Sequence, residues 1–282
     1  MLKDRYDNPL STSSAKARDL YVAAIDRLLE AGPGMVQLFE SVVEADPDFA
    51  LGHVGLARAR QYTADGPGAK AAMEVARGLT KDLDERERGH VHAFGLLIDG
   101  NVREAYPAIR DHVEKFPRDA LVAQTCTSIF GLIGFSGLPG REAELLAFNA
   151  ALVPHYGDDW WCLSQYAFAL CETGNLDKAS TVIDRSLAMN AANANGSHVR
   201  SHVYYEAGET ELGISYLEDW LKGYDRSAML HGHLSWHVAL WALGQGDADR
   251  MWERVDADVK PGAAEGLPIN VLTDTASILY RA

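Results

Sequence analysis

The sequence predicts an all-α fold of about thirteen helices joined by short turns. Runs that alternate Val, Ile, Thr and aromatic residues, which would indicate strands, are almost absent from the 282 residues. Stretches such as 13–32 and 177–190 instead carry apolar residues at three- and four-residue steps, the spacing of one helix face. Clusters of Gly, Pro and Asn-Asp separate these stretches and indicate helix ends. Apolar residues make up 47% of the chain, which is enough to bury a core.

The overall charge excludes some classes of partner. The formal net charge is −14, whereas a nucleic-acid surface needs clustered Lys and Arg. No run of about 18 apolar residues is present, so we expect no segment that spans a membrane. The three cysteines are too few, and odd in number, for a disulfide framework. We therefore expect a cytoplasmic protein with neither nucleic acid nor membrane as a partner.

Four segments share one pattern, in which a helix ends at a Gly and a second helix follows with small residues near its start. Their glycines are Gly100, Gly174, Gly208 and Gly246, which are 74, 34 and 38 residues apart. A period of about 34 residues with two helices per unit resembles the tetratricopeptide repeat. One helix pair cannot bury its apolar face alone, so pairs stack. The pattern predicts a right-handed tetratricopeptide-like α-solenoid of about six helix pairs and a terminal helix, in one domain over 1–282.

Several longer strings resemble the tetratricopeptide repeat protein 38 family over essentially the whole chain. They are DNPLSTSSAKARDLY near 7–21, RERGHVHA at 86–93, SHVRSHVYYEAGE at 197–209, HGHLSWHVALW at 231–241 and NVLTDTASILYR near the end. The resemblance includes the order and spacing of the histidine pairs. It implies the helical-repeat fold but no settled biochemical activity. It also implies further repeats after the region that matches 270–282, so we expect a chain that lacks them.

Two pairs of histidines are the main candidates for a functional site. His198 and His202 are four residues apart, as are His233 and His237, so each pair lies on one helix face. Glu206 extends the first pair. Counted from Gly208, His198, His202 and Glu206 take the positions that face the groove of such repeats. Counted from Gly246, His233 lies near the groove and His237 is adjacent to it. Four imidazoles on neighbouring helices are suitable ligands for Zn, Mn or Fe.

Other roles for these histidines stay open. They would serve without a metal as acid–base or substrate-binding groups, or they would only form hydrogen bonds within the superhelix. The count from Gly100 gives His90 the position of His198 in its own repeat. His90, Glu206 and Asp159 are therefore the candidate catalytic residues, although Asp159 also suits the N-cap of the following helix.

Aromatic residues predict a pocket near the histidines. Trp161 and Gln165 fall in the first turns of a repeat's first helix, and Trp161 is expected to face the groove. With Tyr205 and Trp236 they would line an aromatic pocket for a ligand. Aromatic residues at helical spacing also suit a core.

The sequence leaves two functions open. The first is a binding or scaffold protein that takes a protein, a peptide or a small molecule in a concave groove rich in His and aromatic residues. The second is a metal-dependent enzyme, of hydrolase or oxygenase type, that acts on a small molecule at the four histidines. No Walker loop, G-x-G-x-x-G, H-E-x-x-H or G-x-S-x-G motif is present. The groove also lacks the Lys, Arg and Asn that grip C-terminal carboxylates, so we expect no binding of chaperone tails.

Overall fold

The computed structural model describes all 282 residues and confirms the all-α prediction. It contains fifteen α-helices, two more than the sequence predicts, with two isolated β-bridges and no strand. The helices are α1 (Ala15–Leu29), α2 (Met35–Ala45), α3 (Ala50–Tyr62), α4 (Gly66–Gly78), α5 (Glu85–Ile98), α6 (Val102–Lys115), α7 (Ala120–Gln124), α8 (Arg141–Tyr156), α9 (Trp160–Glu172), α10 (Leu176–Met189), α11 (Ala194–Glu206), α12 (Thr210–Leu221), α13 (His231–Gly244), α14 (Ala248–Arg254) and α15 (Pro268–Arg281).

Contacts within the chain define two compact units. The first unit comprises 1–29 and 34–158, and the second comprises 30–33 and 159–282. The single domain expected over 1–282 stays a prediction.

The first unit contains three regular helix pairs and one irregular region. α1 packs on α2, α3 on α4 and α5 on α6. The aromatic rings of Phe39 and Phe49 meet Tyr21 edge to face in its core. The short helix α7 is followed by the Gly-rich segment 125–140, which contains only one turn of 3-10 helix before α8 begins. The long inter-helix turn expected near 130–142 is therefore present.

The second unit repeats one hairpin three times and ends in a single helix. α9 packs on α10, α11 on α12 and α13 on α14, while α15 packs on α13. The first helices of successive pairs lie side by side where α9 contacts α11. A core of Leu217, Leu234, Val238 and Trp241 holds α12 against α13. The two units contain six such pairs and the terminal helix α15, as expected, and the two additional helices α7 and α8 belong to none of these pairs.

The repeated glycines lie where the sequence pattern requires them. Gly100, Gly174, Gly208 and Gly246 all have φ between 72° and 81°, a left-handed backbone that side chains disfavour. Around Gly174, its N–H donates to Cys171 O and the N–H of Asn175 donates to Leu170 O. These two bonds form the Schellman motif, which ends the first helix and starts the turn into the second.

Candidate metal centre

Helices α11 and α13 each present two histidines one turn apart. His198 and His202 lie on α11, and His233 and His237 lie on α13. Two small residues, Ser197 and Ser201, directly precede His198 and His202 on α11. Ser197 and Ser201 are fully buried, and the Ser201 hydroxyl donates to Ser197 O at 2.9 Å. The Ser201 hydroxyl therefore needs no hydrogen-bond partner outside its own helix.

The four imidazole rings lie against one another. His198 Nε2 lies 3.0 Å from His202 Nε2 and 3.1 Å from His233 Nε2. The centroid of the His237 ring is 5.1, 4.9 and 5.0 Å from those of His198, His202 and His233. One ring nitrogen from each of His198, His202 and His237 falls within a group whose members are all within 4.8 Å of one another. The residues expected to gather from their spacing do gather.

Two carboxylates support the outer side of this cluster. The Nδ1–H of His233 donates to both oxygens of Asp274 on α15, at 3.1 and 3.0 Å. His202 Nδ1 lies 3.4 Å from Glu172 Oε1 at the end of α9. A carboxylate at Nδ1 selects the tautomer whose lone pair is on Nε2, and this arrangement recurs behind metal-binding histidines. The Nε2 atoms of both rings therefore present lone pairs to His198.

The inner two histidines are deeply buried. His198 is 3% exposed and His237 is 4% exposed. Burial lowers the pKa of both imidazoles well below the usual value, and the neighbouring histidines lower it further. Both ring nitrogens of His237 are buried without a hydrogen-bond partner. An imidazole in that state carries an uncompensated desolvation cost.

Aromatic side chains surround the cluster. Trp236 stacks on His233, with ring centroids 5.4 Å apart and planes 14° apart. Phe168 meets His198 and His202 edge to face at 5.5 and 5.1 Å. Trp236, one of the residues expected to line a pocket, lies against both His233 and His237. These rings lower the local dielectric, which strengthens any charge interaction among the imidazoles.

Other sequence-predicted residues lie elsewhere. Glu206 is exposed at the end of α11, and the carboxylates against the imidazoles are Glu172 and Asp274 instead. Asp159 caps α9 by accepting from the N–H of Cys162 at 2.9 Å, so its N-cap role is the one observed.

The remaining pocket candidates differ in exposure. Trp161 is only 1% exposed and lies in the core rather than on an open groove wall. Gln165 is also buried, and its amide donates to Ser164 Oγ at 3.4 Å. Tyr205 is 48% exposed, with its ring tilted against Trp241 at 6.5 Å.

His90 belongs to a separate buried network in the first unit. Asp119 accepts from His90 Nδ1 and His112 Nε2 at 3.0 Å each and from Arg86 Nη1 at 3.1 Å. Burial by itself raises the pKa of Asp119, but His90, His112 and Arg86 outweigh it and hold that pKa well below the usual range. His90 has no exposed surface, so the network reads as a structural ion cluster.

The sequence analysis predicted neither of the two supporting carboxylates, although the spacing of Glu172 in its repeat could have indicated one of them. Glu172 precedes Gly174 by two residues, as Glu206 precedes Gly208, so the two occupy one register position in adjacent repeats. The Glu of the preceding repeat is the one that reaches His202. Asp274 lies 41 residues after His233 and has no register signal.

A comparison with solved structures supports the helical-repeat fold. No protein-family model matches the chain. Among solved structures it is similar to PilW, a widely conserved type IV pilus biogenesis factor, with a TM-score of 0.52 and 18% identity over 73% of this chain and 90% of that chain. None of the helices combines the length and apolarity needed to cross a membrane. The chain has the fold of a tetratricopeptide-like helical-repeat protein, an all-α solenoid.

Proposed function

We propose that this protein binds a divalent transition-metal ion at the cluster of His198, His202, His233 and His237, with three of these histidines as ligands, and that this centre acts on a small molecule as a metal-dependent enzyme does. One observation carries the proposal. The Nε2 atoms of His202 and His233 lie 3.0 and 3.1 Å from that of His198, while carboxylates lie against the Nδ1 atoms of His202 and His233. Few arrangements other than metal coordination need so many imidazoles with their nitrogens turned together.

Hydrogen bonding within the protein leaves the buried His237 unsatisfied. His202 and His233 carry their protons on Nδ1, so each offers only a lone pair at Nε2. His198 Nε2 has at most one proton to share between them. His237 adds a buried donor and a buried acceptor without partners. One cation at the centre would use these lone pairs together.

The donor set and the distances favour zinc. Imidazole suits Zn, Cu, Fe and Ni, whereas Mn prefers oxygen ligands. Two nitrogens bound at about 2.0–2.1 Å to one tetrahedral zinc ion lie about 3.3 Å apart. The separations of 3.0 and 3.1 Å are close to that value. The ring nitrogens of His198, His202 and His237, which lie within 4.8 Å of one another, need larger ring movements to reach it. Iron is the second choice and manganese the third.

The centre lies at the edge of the core rather than deep inside it. The side chains of His202 and Glu172 are 20% and 26% exposed, so the cluster has a solvent-facing side. A metal with three protein ligands and one open position is typical of catalytic zinc, whereas four protein ligands are typical of structural zinc. A bound zinc ion with an open position activates water or polarises a carbonyl group.

Elemental analysis of protein purified without a His tag or chelator tests this function. We expect close to one zinc per chain, and loss of that zinc in the double variant His198→Ala/His202→Ala. His155→Ala is the matched control, because His155 is an exposed single histidine on α8. Protein that contains no metal, and takes up none from equimolar Zn, Fe or Mn, would contradict the proposal.

The helical-repeat fold suggests a protein-binding role, and this is the second candidate. Its finer form, a concave groove rich in His and aromatic residues, stays a proposal, as do membership of the tetratricopeptide repeat protein 38 family and a cytoplasmic location. The two functions predict different effects of His202→Ala. A scaffold keeps its stability and its partners without metal, whereas a metal centre loses both its ion and the stabilisation that the ion gives.

A further inference from the structure

A hollow on the second unit lies beside the histidine cluster. It has a volume of about 280 Å³, and we call it the Trp241 hollow. The helices α11, α13 and α15, which supply the histidines and Asp274, also supply most of its lining. Its lining residues are Tyr205, Thr210, Leu240, Trp241, Leu243, Gly244, Gln245 and Arg281.

Trp241 connects the hollow to the cluster. Its indole ring lines the hollow and lies 6.2 Å from the His237 ring, one helical turn earlier on α13. Tyr205 follows His202 by three residues on α11, which is a rise of about 4.5 Å. Arg281 follows Asp274 by seven residues on α15, which is a rise of about 10 Å. The hollow and the histidine cluster are therefore about one to two helical turns apart along these helices.

The lining is mostly apolar. Leu240, Leu243 and the rings of Tyr205 and Trp241 provide this part. Trp241 is 3% exposed, and its Nε1–H is buried without an acceptor. That donor therefore lies beneath the surface of the hollow, and the accessible donors are on other side chains.

Arg281 is the one charged residue among the lining residues. The bonds that its guanidinium makes within the protein use Nη1 alone, to Ser277 O and Ser277 Oγ. A guanidinium has five N–H donors in a planar fork that matches a carboxylate. Gln245 is already engaged, because its amide donates to Glu211. The donors that remain call for an anionic acceptor.

We propose that the Trp241 hollow binds the apolar or aromatic body and the carboxylate of the molecule on which the metal centre acts. The inference rests on the proposed function and names its substrate class, an apolar carboxylic acid. The carboxylate would accept from Arg281, the body would lie against Tyr205 and Leu240, and the other end of the molecule would extend towards His237.

Calorimetric titration of the zinc-loaded protein with 4-phenylbutyrate tests the carboxylate. We expect binding that is at least tenfold tighter than that of 4-phenylbutanamide or 4-phenylbutylamine. Arg281→Gln should abolish that preference, and Tyr205→Ala should weaken all three probes. Lys222→Gln is the control for charge, because Lys222 is exposed on the same unit and does not line the hollow. Tighter binding of the amine, or equal losses in Arg281→Gln and Lys222→Gln, would overturn the assignment.

Cobalt substitution tests the link to the metal. With Co²⁺ in place of zinc, the proton resonances of bound 4-phenylbutyrate should broaden, and Arg281→Gln should remove the effect while the cobalt content stays the same. Sharp resonances for a bound probe would overturn the link. Metal binding without probe binding defeats this inference alone. Probe binding that depends on Arg281 in a protein without metal defeats the proposed function and leaves only the carboxylate site.

Discussion

The residue at the turn between the two helices of a pair has a left-handed backbone. Four pairs of helices turn at a Gly, but the turn between α3 and α4 has Ala64 with φ of 60°. A left-handed backbone costs a residue with a Cβ about 1–2 kcal/mol, whereas Gly adopts it freely. Ala64 is exposed, so no packing requires its methyl group.

We therefore expect Ala64→Gly to stabilise the protein by about 0.5–1 kcal/mol, after the larger backbone entropy of Gly in the unfolded chain is subtracted. Urea unfolding followed by circular dichroism measures the change. Gly174→Ala is the reverse experiment and should destabilise by about 1 kcal/mol. A loss of stability in Ala64→Gly would show that its methyl group contributes more than its backbone strain costs.

A substitution at His237 distinguishes a metal ligand from a structural residue. Both nitrogens of His237 are buried without a hydrogen-bond partner. In the metal-free protein no hydrogen bond therefore offsets the cost of removing these polar atoms from water. Replacing such a group by an apolar one of similar size is neutral or stabilising. We expect His237→Leu to stabilise the metal-free protein by about 1–3 kcal/mol and to weaken zinc binding strongly.

Unfolding in the presence of EDTA gives the first quantity, and competition with a zinc indicator gives the second. A His237→Leu protein that is less stable without metal would mean that the imidazole has a structural partner. Unchanged zinc affinity would remove His237 from the ligand set.

At the scale of elements, the sequence predicted which helices meet but not every group that they bring. The i, i+4 spacing was enough to place His198 with His202 and His233 with His237, because a helix fixes that relation locally. Glu206 was assigned to the cluster for the same local reason. Glu172 contacts His202 because the carboxylate comes from the preceding repeat and not from the same helix. Asp274 lies on α15, and no repeat pattern in the sequence relates that helix to α13. Trp161 was misplaced because helix periodicity does not say which of two apolar faces is covered.

The supporting carboxylates give a prediction for helices α9 and α15. Asp274→Asn and Glu172→Gln keep the size of each side chain but weaken its hold on a histidine Nδ1–H. Loss of such a partner typically lowers metal affinity by about 10–100-fold. We expect that loss in zinc competition assays, with near-normal helicity.

Glu206→Gln is the matched control, because Glu206 occupies the register position of Glu172 in the next repeat but is exposed. It should leave zinc affinity unchanged. Equal effects of Glu172→Gln and Glu206→Gln would show that the effect comes from the net charge and not from contact with His202.

At the scale of the whole molecule, the two units carry different probes. All six tryptophans lie between 160 and 252, within the second unit, and the first unit has none. Tryptophan fluorescence therefore reports the unit with the histidine cluster, while circular dichroism reports both. A ligand at 100 times its dissociation constant stabilises the folded state by about 2.7 kcal/mol. We expect zinc to raise the midpoint seen by fluorescence, and EDTA to lower it again. A midpoint that is the same with zinc and with EDTA would contradict a metal centre in that unit.

The first unit should respond to acid through Asp119. Its folded pKa is held well below the unfolded value of about 3.9, so the unfolded state binds the proton more readily. The stability that Asp119 contributes is therefore complete above about pH 4 and is lost as the pH falls through the folded pKa. Asp119→Asn removes the nearer of the two carboxylates beside the buried guanidinium of Arg86, since Glu87 stays 3.4 Å away, and should destabilise the protein by about 3 kcal/mol at pH 7. That difference from the wild type should shrink progressively below about pH 4, because the unfolded wild type then takes up a proton that the folded state does not. Urea unfolding by circular dichroism at pH 7, 5, 4 and 3 measures it, with the exposed Asp7→Asn as control. A difference that stays constant down to pH 3 would mean that Asp119 contributes by packing and not by its charge.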